Sequence, residues 1–138
     1  MLGQLNEPRR VVVTGMGIAS PLGLGVEHVW KRLLAGESGI GPISSFDAKD
    51  LPARIAGQVP AGTRAEGGLD LNEWIPVKDQ KKMDRFIHLA MVAAAEAVED
   101  SGWVPQTDED RWGTGVMIGS GIGGLPAIYE TSLLISQG

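Results

Sequence analysis

From Asp79 to Ser101 the chain contains neither glycine nor proline, and Met83, Phe86, Ile87, Ala90, Met91, Ala94, Ala97 and Val98 fall on one face at helical spacing. The spacing predicts a single helix over this range. Gly102 ends it, supplying the left-handed residue that helix C-termini favour. Alanine makes up much of the apolar stripe, so the helix backbone can approach its neighbours closely, which suits a buried position against a sheet or another helix.

The remaining elements complete an α/β pattern. Arg10-Val11-Val12-Val13-Thr14 is a β-branched run closed by Gly15 and Gly17, which predicts a short strand buried on both faces. Val26, Val29, Trp30, Leu33 and Leu34 then recur at helical spacing, with Gly36 as the stop. From Gly39 to Gly68 the chain is rich in Pro, Gly and Ala and reads as surface connection, apart from a candidate edge strand over Arg54–Val59 between Pro52 and Pro60. Gly113 to Gly119 predicts a second buried strand. A glycine-dense turn, Ser120 to Gly124, leads into a helix over Ile128–Ile135, with Pro126 confined to its first turn. Seven aromatic residues against 20 glycines fit a core of small and aliphatic side chains, as when helices lie on a parallel sheet. A length of 138 residues, 43% hydrophobic and 21% charged, bounds one domain, 1–138.

Composition also removes several function classes. A net charge of −5 argues against a general nucleic-acid binder, which presents excess Lys and Arg to phosphates. The sequence has no cysteine, so it contains no disulfide, thiolate metal site or thiol nucleophile. The apolar run Val11 to Val13 is too short for a signal peptide or a membrane span, and a cytoplasmic location is the default.

Two glycine clusters invite a dinucleotide reading. Gly119-x-Gly121-x-x-Gly124 has the spacing of the phosphate-binding fingerprint and lies between a predicted strand and a predicted helix. The acidic residue that would bind the ribose, about 20 positions further on, falls beyond Gly138. At Gly15-x-Gly17-x-x-Ser20, a serine stands where Gly or Ala allows tight helix packing, and Pro21 postpones the helix. Close backbone packing and tight turns at strand ends explain both clusters without a cofactor, and we adopt that reading. Ser120 is no nucleophile elbow, because Ile118 and Ile122 occupy the positions that G-x-S-x-G gives to glycine.

His28 and His88 are the only histidines. Each stands alone on a predicted helix with no Cys, His or carboxylate spaced to hold a metal, and both are read as structural or solvent-facing. Lys78, Lys81, Lys82 and Arg85 line one face of the long predicted helix, roughly opposite the apolar stripe. They stand at its N-terminus, where cations oppose the macrodipole, while Glu96, Glu99 and Asp100 crowd its C-terminal turn, where anions oppose it. Each misplaced exposed charge costs only roughly 0.3–1 kcal/mol, so a tolerated solvated face is one reading. A docking patch for an acidic partner, partly neutralised by Asp79 and Asp84, is the other.

Four segments taken in order carry a family resemblance: Arg9 to Gly23 (RRVVVTGMGIASPLG), Leu34 to Ile40 (LAGESGI), Lys82 to Phe86 (KMDRF) and Ile118 to Leu125 (IGSGIGGL). Together they resemble the start of the bacterial 3-oxoacyl-acyl carrier protein synthase II family, over most of the chain from Arg9 to Gly138. The Lys82-Met83-Asp84 segment favours synthase II over synthase I. The resemblance implies a thiolase-like fold of two similar halves, in which helices enclose two mixed sheets, with a homodimer as the working unit. Residues 1–138 would be the N-terminal part of the first half.

The resemblance further implies fatty-acid elongation by decarboxylative condensation of an acyl-enzyme with malonyl-acyl carrier protein, without a cofactor or metal. The family's nucleophilic cysteine, two histidines and lysine would lie beyond the position matching Gly138, so the chain holds no catalytic residue and is expected to be inactive alone. Lys78, Lys81 and Lys82 match basic positions that contact the acyl carrier protein. Ile122 matches an isoleucine lining the acyl-chain pocket near the dimer interface. The segment Pro60–Asp70 is longer and richer in glycine than the family pattern, and Val77 stands where a further basic residue often occurs. A non-catalytic carrier-binding or dimerisation module and a small dinucleotide-binding domain are the alternatives.

Overall fold

The computed structural model describes residues 10–137; Arg9 and Gly138, which bound the stretch of resemblance, lie outside the described residues with the N-terminal residues before Arg9. Strand β1 (Ala19–Ser20) pairs antiparallel with β2 (Gly23–Leu24), and helix α1 (Val26–Leu34) follows. Strands β3 (Ile40–Pro42) and β4 (Ile55–Gly57) form a second antiparallel ribbon, with Gly41 opposite Ala56. Two 3-10 turns, Arg64–Glu66 and Leu71–Glu73, lead to the short helix α2 (Val77–Gln80) and the long helix α3 (Arg85–Ser101). Helices α4 (Asp108–Trp112) and α5 (Leu125–Gln137) complete the described chain.

Where local chemistry decides the backbone, the elements lie where expected. Helix α1 covers the predicted range, and Gly36 after it has φ 71°. Gly102 closes α3 in the left-handed conformation. Pro126 sits in the first turn of α5, where a missing N–H is no loss. The candidate edge strand appears as β4.

The helix predicted over 79–101 is two helices. Asp84 is extended, with φ −73° and ψ 160°, and breaks the chain between α2 and α3. Lys82 N–H and Met83 N–H donate three residues back, to the Asp79 and Gln80 carbonyls, which tightens the chain into a turn. The Gln80 carbonyl oxygen also lies 3.0 Å from Nε2 of His88, a buried residue of α3, so this histidine ties the two helices together. The core side of α3 is correspondingly shifted: Val92 is 1% exposed and Leu89 packs beside it, whereas Met91 and Val98 of the predicted stripe are exposed.

The core is small. Leu24, Leu69 and Val92 form its centre, with Ala19, Val59, Leu71, Trp74 and Leu89 around them. The segment before β1 lies directly on α3. A side chain on Gly15 would meet the Ala97 carbonyl and Ser101, and one on Gly17 would meet the Ala93 carbonyl. Glycine on the segment and alanine on the helix together allow backbone-to-backbone approach, so this cluster is used in packing.

Neither predicted buried strand forms. Arg10–Thr14 and Gly113–Gly119 take part in no ladder among the described residues, and their apolar side chains face outward: Val11 is 87% exposed and Met117 98%. A run of β-branched residues fixes only a preference; a strand exists once a neighbour satisfies its N–H and C=O groups. Among the described residues no strand pairs with either run, so the expected sheet with helices packed on it is represented by two short ribbons.

Candidate functional site

The basic residues lie on the α2 segment rather than along one helix face. Lys78 is in α2, Lys81 is its C-cap and Lys82 lies in the turn that follows; all three are exposed. This corrects the expectation of cations at the N-terminus of a long helix. Lys81 stands at the C-terminal end of α2, where the backbone carbonyls favour positive charge, and Lys78 is the second residue of that single turn. Lys82 is committed in part to Asp79, with Nζ 2.9 Å from Oδ1. Arg85 opens α3 instead of continuing the lysine stripe.

The acids at the other end of α3 also have partners. Glu96 accepts the N–H of Ile18 and the N–H of Val26, each at 2.8 Å, and Asp100 accepts that of Met16 at 2.8 Å. Glu99 pairs with Arg64 at 2.8 Å, and the Arg64 guanidinium lies 4.8 Å from the centre of the Trp74 ring. His28 is half-buried against Gly23 and Gly67, leaving no room for a side chain on either glycine. No group of three or more His, Asp or Glu side chains is placed to hold a metal ion among the described residues.

The second candidate element is the turn from Ser120 to Gly124. Ile122 is 76% exposed and lines a shallow pocket of about 280 Å³ with Asp84, Arg85, Phe86, Gly121 and Leu125. Gly123 has φ 69°, and a side chain there would come within 3.0 Å of the Phe86 ring. A side chain on Gly124 would meet the Asp84 carboxylate. The turn bearing Ile122 is thus seated on the residues that follow Lys82, with only Met83 between that lysine and Asp84. The sequence places Phe86 on the apolar stripe and Asp84 beside the lysines; their contacts with Gly123 and Gly124 emerge only in the folded chain.

The family description "Beta-ketoacyl synthase, N-terminal domain" matches residues 8–137, nearly the whole chain. The chain belongs to the β-ketoacyl synthase family. Within that family it is 48% identical to 3-oxoacyl-[acyl-carrier-protein] synthase 2 of Rhizobium meliloti, over 88% of this chain and 29% of the relative. It is also 48% identical to the Vibrio cholerae protein of the same name, over 87% of this chain and 27% of the relative. The mitochondrial 3-oxoacyl-[acyl-carrier-protein] synthase of Arabidopsis thaliana is 39% identical over 94% of this chain and 30% of its own length. Among solved structures, the ishigamide ketosynthase/chain length factor superposes with a TM-score of 0.59 at 36% identity, covering 75% of this chain and 23% of the other. This β-ketoacyl synthase domain therefore has a ketosynthase-like mixture of helix and strand, and spans less than a third of the length of the relatives it matches. No helix among the described residues is long and apolar enough to cross a membrane.

Proposed function

We propose that this domain supplies carrier-protein recognition and part of the acyl pocket to a condensing enzyme of fatty-acid elongation. One observation carries the reading: the exposed lysines of the α2 segment run directly into Asp84 and Phe86, against which the turn bearing Ile122 is seated. A site that receives an acyl group from a carrier protein needs a cationic face for the acidic carrier beside an apolar path for the chain. The names of the relatives and the motif matches at Lys78, Lys81, Lys82 and Ile122 support the same assignment.

In the reaction proposed for the whole enzyme, a cysteine thiolate takes the acyl group from its carrier as a thioester. Malonyl-carrier protein then loses carbon dioxide, and the resulting enolate attacks that thioester, forming the new carbon–carbon bond and releasing the thiolate. Hydrogen-bond donors stabilise the enolate and the oxyanion of the addition step. The 138 residues contain no cysteine, so these steps fall to parts of the enzyme outside them. The outward-facing Val11–Val13 and Val116–Ile118 runs support a place for this domain in the first half of a thiolase-like unit, where further strands would pair with them. A homodimer in the cytoplasm completes the proposal, although organelle versions carry the name in plants.

The test uses the complete enzyme carrying this domain and the domain alone. The complete enzyme should convert acyl- and malonyl-carrier protein to 3-oxoacyl-carrier protein, while the domain alone should give no product yet retain carrier binding. Condensation by the domain alone, or absence of carrier binding by both proteins, overturns the reading. Saturable quenching or enhancement of nicotinamide or flavin fluorescence that Gly121→Ala abolishes would install the dinucleotide alternative in its place.

A further inference from the structure

We infer that Asp84 and Phe86 are positioning residues for the Ser120–Gly124 turn and thereby set the acyl-chain length the enzyme accepts. The inference rests on the proposed acyl-pocket role of Ile122 and adds the residues that hold that side chain in place.

Two adjacent glycines are explained by the N-cap of α3, Asp84, and the second residue of that helix, Phe86. Gly123 has φ 69°, and its missing side chain leaves the space into which Phe86 Cζ and Cε1 project, 3.0 and 3.2 Å from where a Cβ would stand. Gly124 leaves the space filled by the Asp84 carboxylate. Asp84 is the N-cap of α3, yet its side chain caps no N–H of that helix. It is turned toward Gly124, whose carbonyl accepts the Ile128 N–H in the first turn of α5. A carboxylate there meets the positive end of the α5 dipole. The backbone of Asp84 is itself fixed from below: its carbonyl accepts the N–H groups of Ile87 and His88, at 3.0 and 3.3 Å, and the His88 ring reaches back to the Gln80 carbonyl. The base on which Ile122 is mounted is therefore continuous with the segment holding Lys78, Lys81 and Lys82. Removing the Phe86 ring gives the turn room to retreat, and Ile122 then blocks a long chain less effectively.

The test is the acyl-length profile of the complete enzyme, read as the ratio of kcat/KM for a long acyl primer to that for a short one. Phe86→Leu should raise this ratio by about tenfold, the lower end of the scale for a changed methylene contact in an apolar pocket. Phe86→Tyr should leave it in place, and KM for carrier protein should stay within about twofold in both. Gly123→Ala drives a methyl group into the ring, so Gly123→Ala with Phe86→Leu should recover part of the activity that Gly123→Ala loses, a non-additivity expected of residues in contact. An equal loss at all chain lengths with Phe86→Leu overturns the inference, because a merely structural residue behaves that way. If Ile122→Ala shifts the ratio and Phe86→Leu does not, this inference fails alone; if neither shifts it, the acyl-pocket reading fails and takes the inference with it.

Discussion

The Glu96 carboxylate of α3 accepts the backbone N–H of Val26, the first residue of α1, at 2.8 Å, across a sequence separation of 70. Its second oxygen accepts the N–H of Ile18 at the same distance. The N-cap of α1 is Gly25, which has no side chain to cap the helix, so the cap comes from another helix. An acid near the C-terminus of α3 opposes its own helix dipole but sits at the positive end of α1's. The anions crowding the end of α3 are explained by their neighbours, not by their own helix.

Glu96→Ala should destabilise the complete enzyme by about 2–3 kcal/mol, since two half-buried N–H groups lose a charged acceptor. Glu96→Gln keeps one carbonyl oxygen and should lose roughly half of that. Thermal unfolding followed by circular dichroism gives the order wild type, Gln, Ala. Equal midpoints for Gln and wild type would remove the charge from the account.

Gly17 and Gly36 predict a contrast between crowding and backbone strain. Gly36 has φ 71° with nothing near its absent side chain, so Gly36→Ala should cost about 1 kcal/mol. Gly17→Ala points a methyl group at the Ala93 carbonyl and should cost about 3 kcal/mol, the upper range for overpacking. Soluble yield and thermal midpoint of the two variants check the order. A Gly17→Ala protein as stable as Gly36→Ala would mean the segment does not rest on α3.

The sequence made legible whatever a residue decides locally: the range of α1, the glycine stops at Gly36 and Gly102, the end of α3, and the place of Pro126 in the first turn of α5. What depended on a partner was not legible. Val11–Val13 and Val116–Ile118 have strand chemistry but no pairing among the described residues, and nothing local distinguishes a paired strand from an unpaired one. The break at Asp84 was hidden because helical periodicity runs through it, while the extended backbone there coincides with a carboxylate turned to Gly124 and a Gln80 carbonyl taken by His88. Helix α4 was missed although its signal is present: Thr107 and Asp110 form a reciprocal capping box. For the site, the exposed lysines and the glycine turn were readable separately. Their junction through Asp84 and Phe86 is a matter of three-dimensional placement.

That capping box gives α4 a pH response. The Asp110 carboxyl is held below the ordinary aspartate range chiefly by the Thr107 backbone N–H, then by the Gln106 N–H and the Thr107 hydroxyl. A lowered folded pKa means the bonds contribute above the unfolded value, about 4, and are lost as pH falls from there through the folded pKa. Backbone amide shifts of Gln106 and Thr107 should therefore hold steady from pH 7 to about 4 and move below it. Asp110→Asn should abolish that step. A step centred above the ordinary aspartate range would contradict the direction of the shift.

Carrier docking makes the sharpest prediction because the three lysines are not equivalent. Lys78 and Lys81 make no ion pair among the described residues, whereas Lys82 is held 2.9 Å from Asp79. Reversal of Lys78, Lys81 and Lys82 together to Glu should raise KM for carrier-bound substrate by about tenfold or more at low salt, and the effect should shrink as salt screens it. Activity on a small acyl thioester without a carrier protein should be unchanged, since no acidic partner is then involved. Asp79→Asn removes the anion competing for Lys82 and should lower the carrier KM by about twofold, the scale of a single exposed ion pair. Docking geometry separates these outcomes from a general loss of folding: reversal weakens one substrate form only, and neutralising a neighbour strengthens it. An unchanged carrier KM after triple reversal would return the α2 segment to a solvated face with no role in recognition.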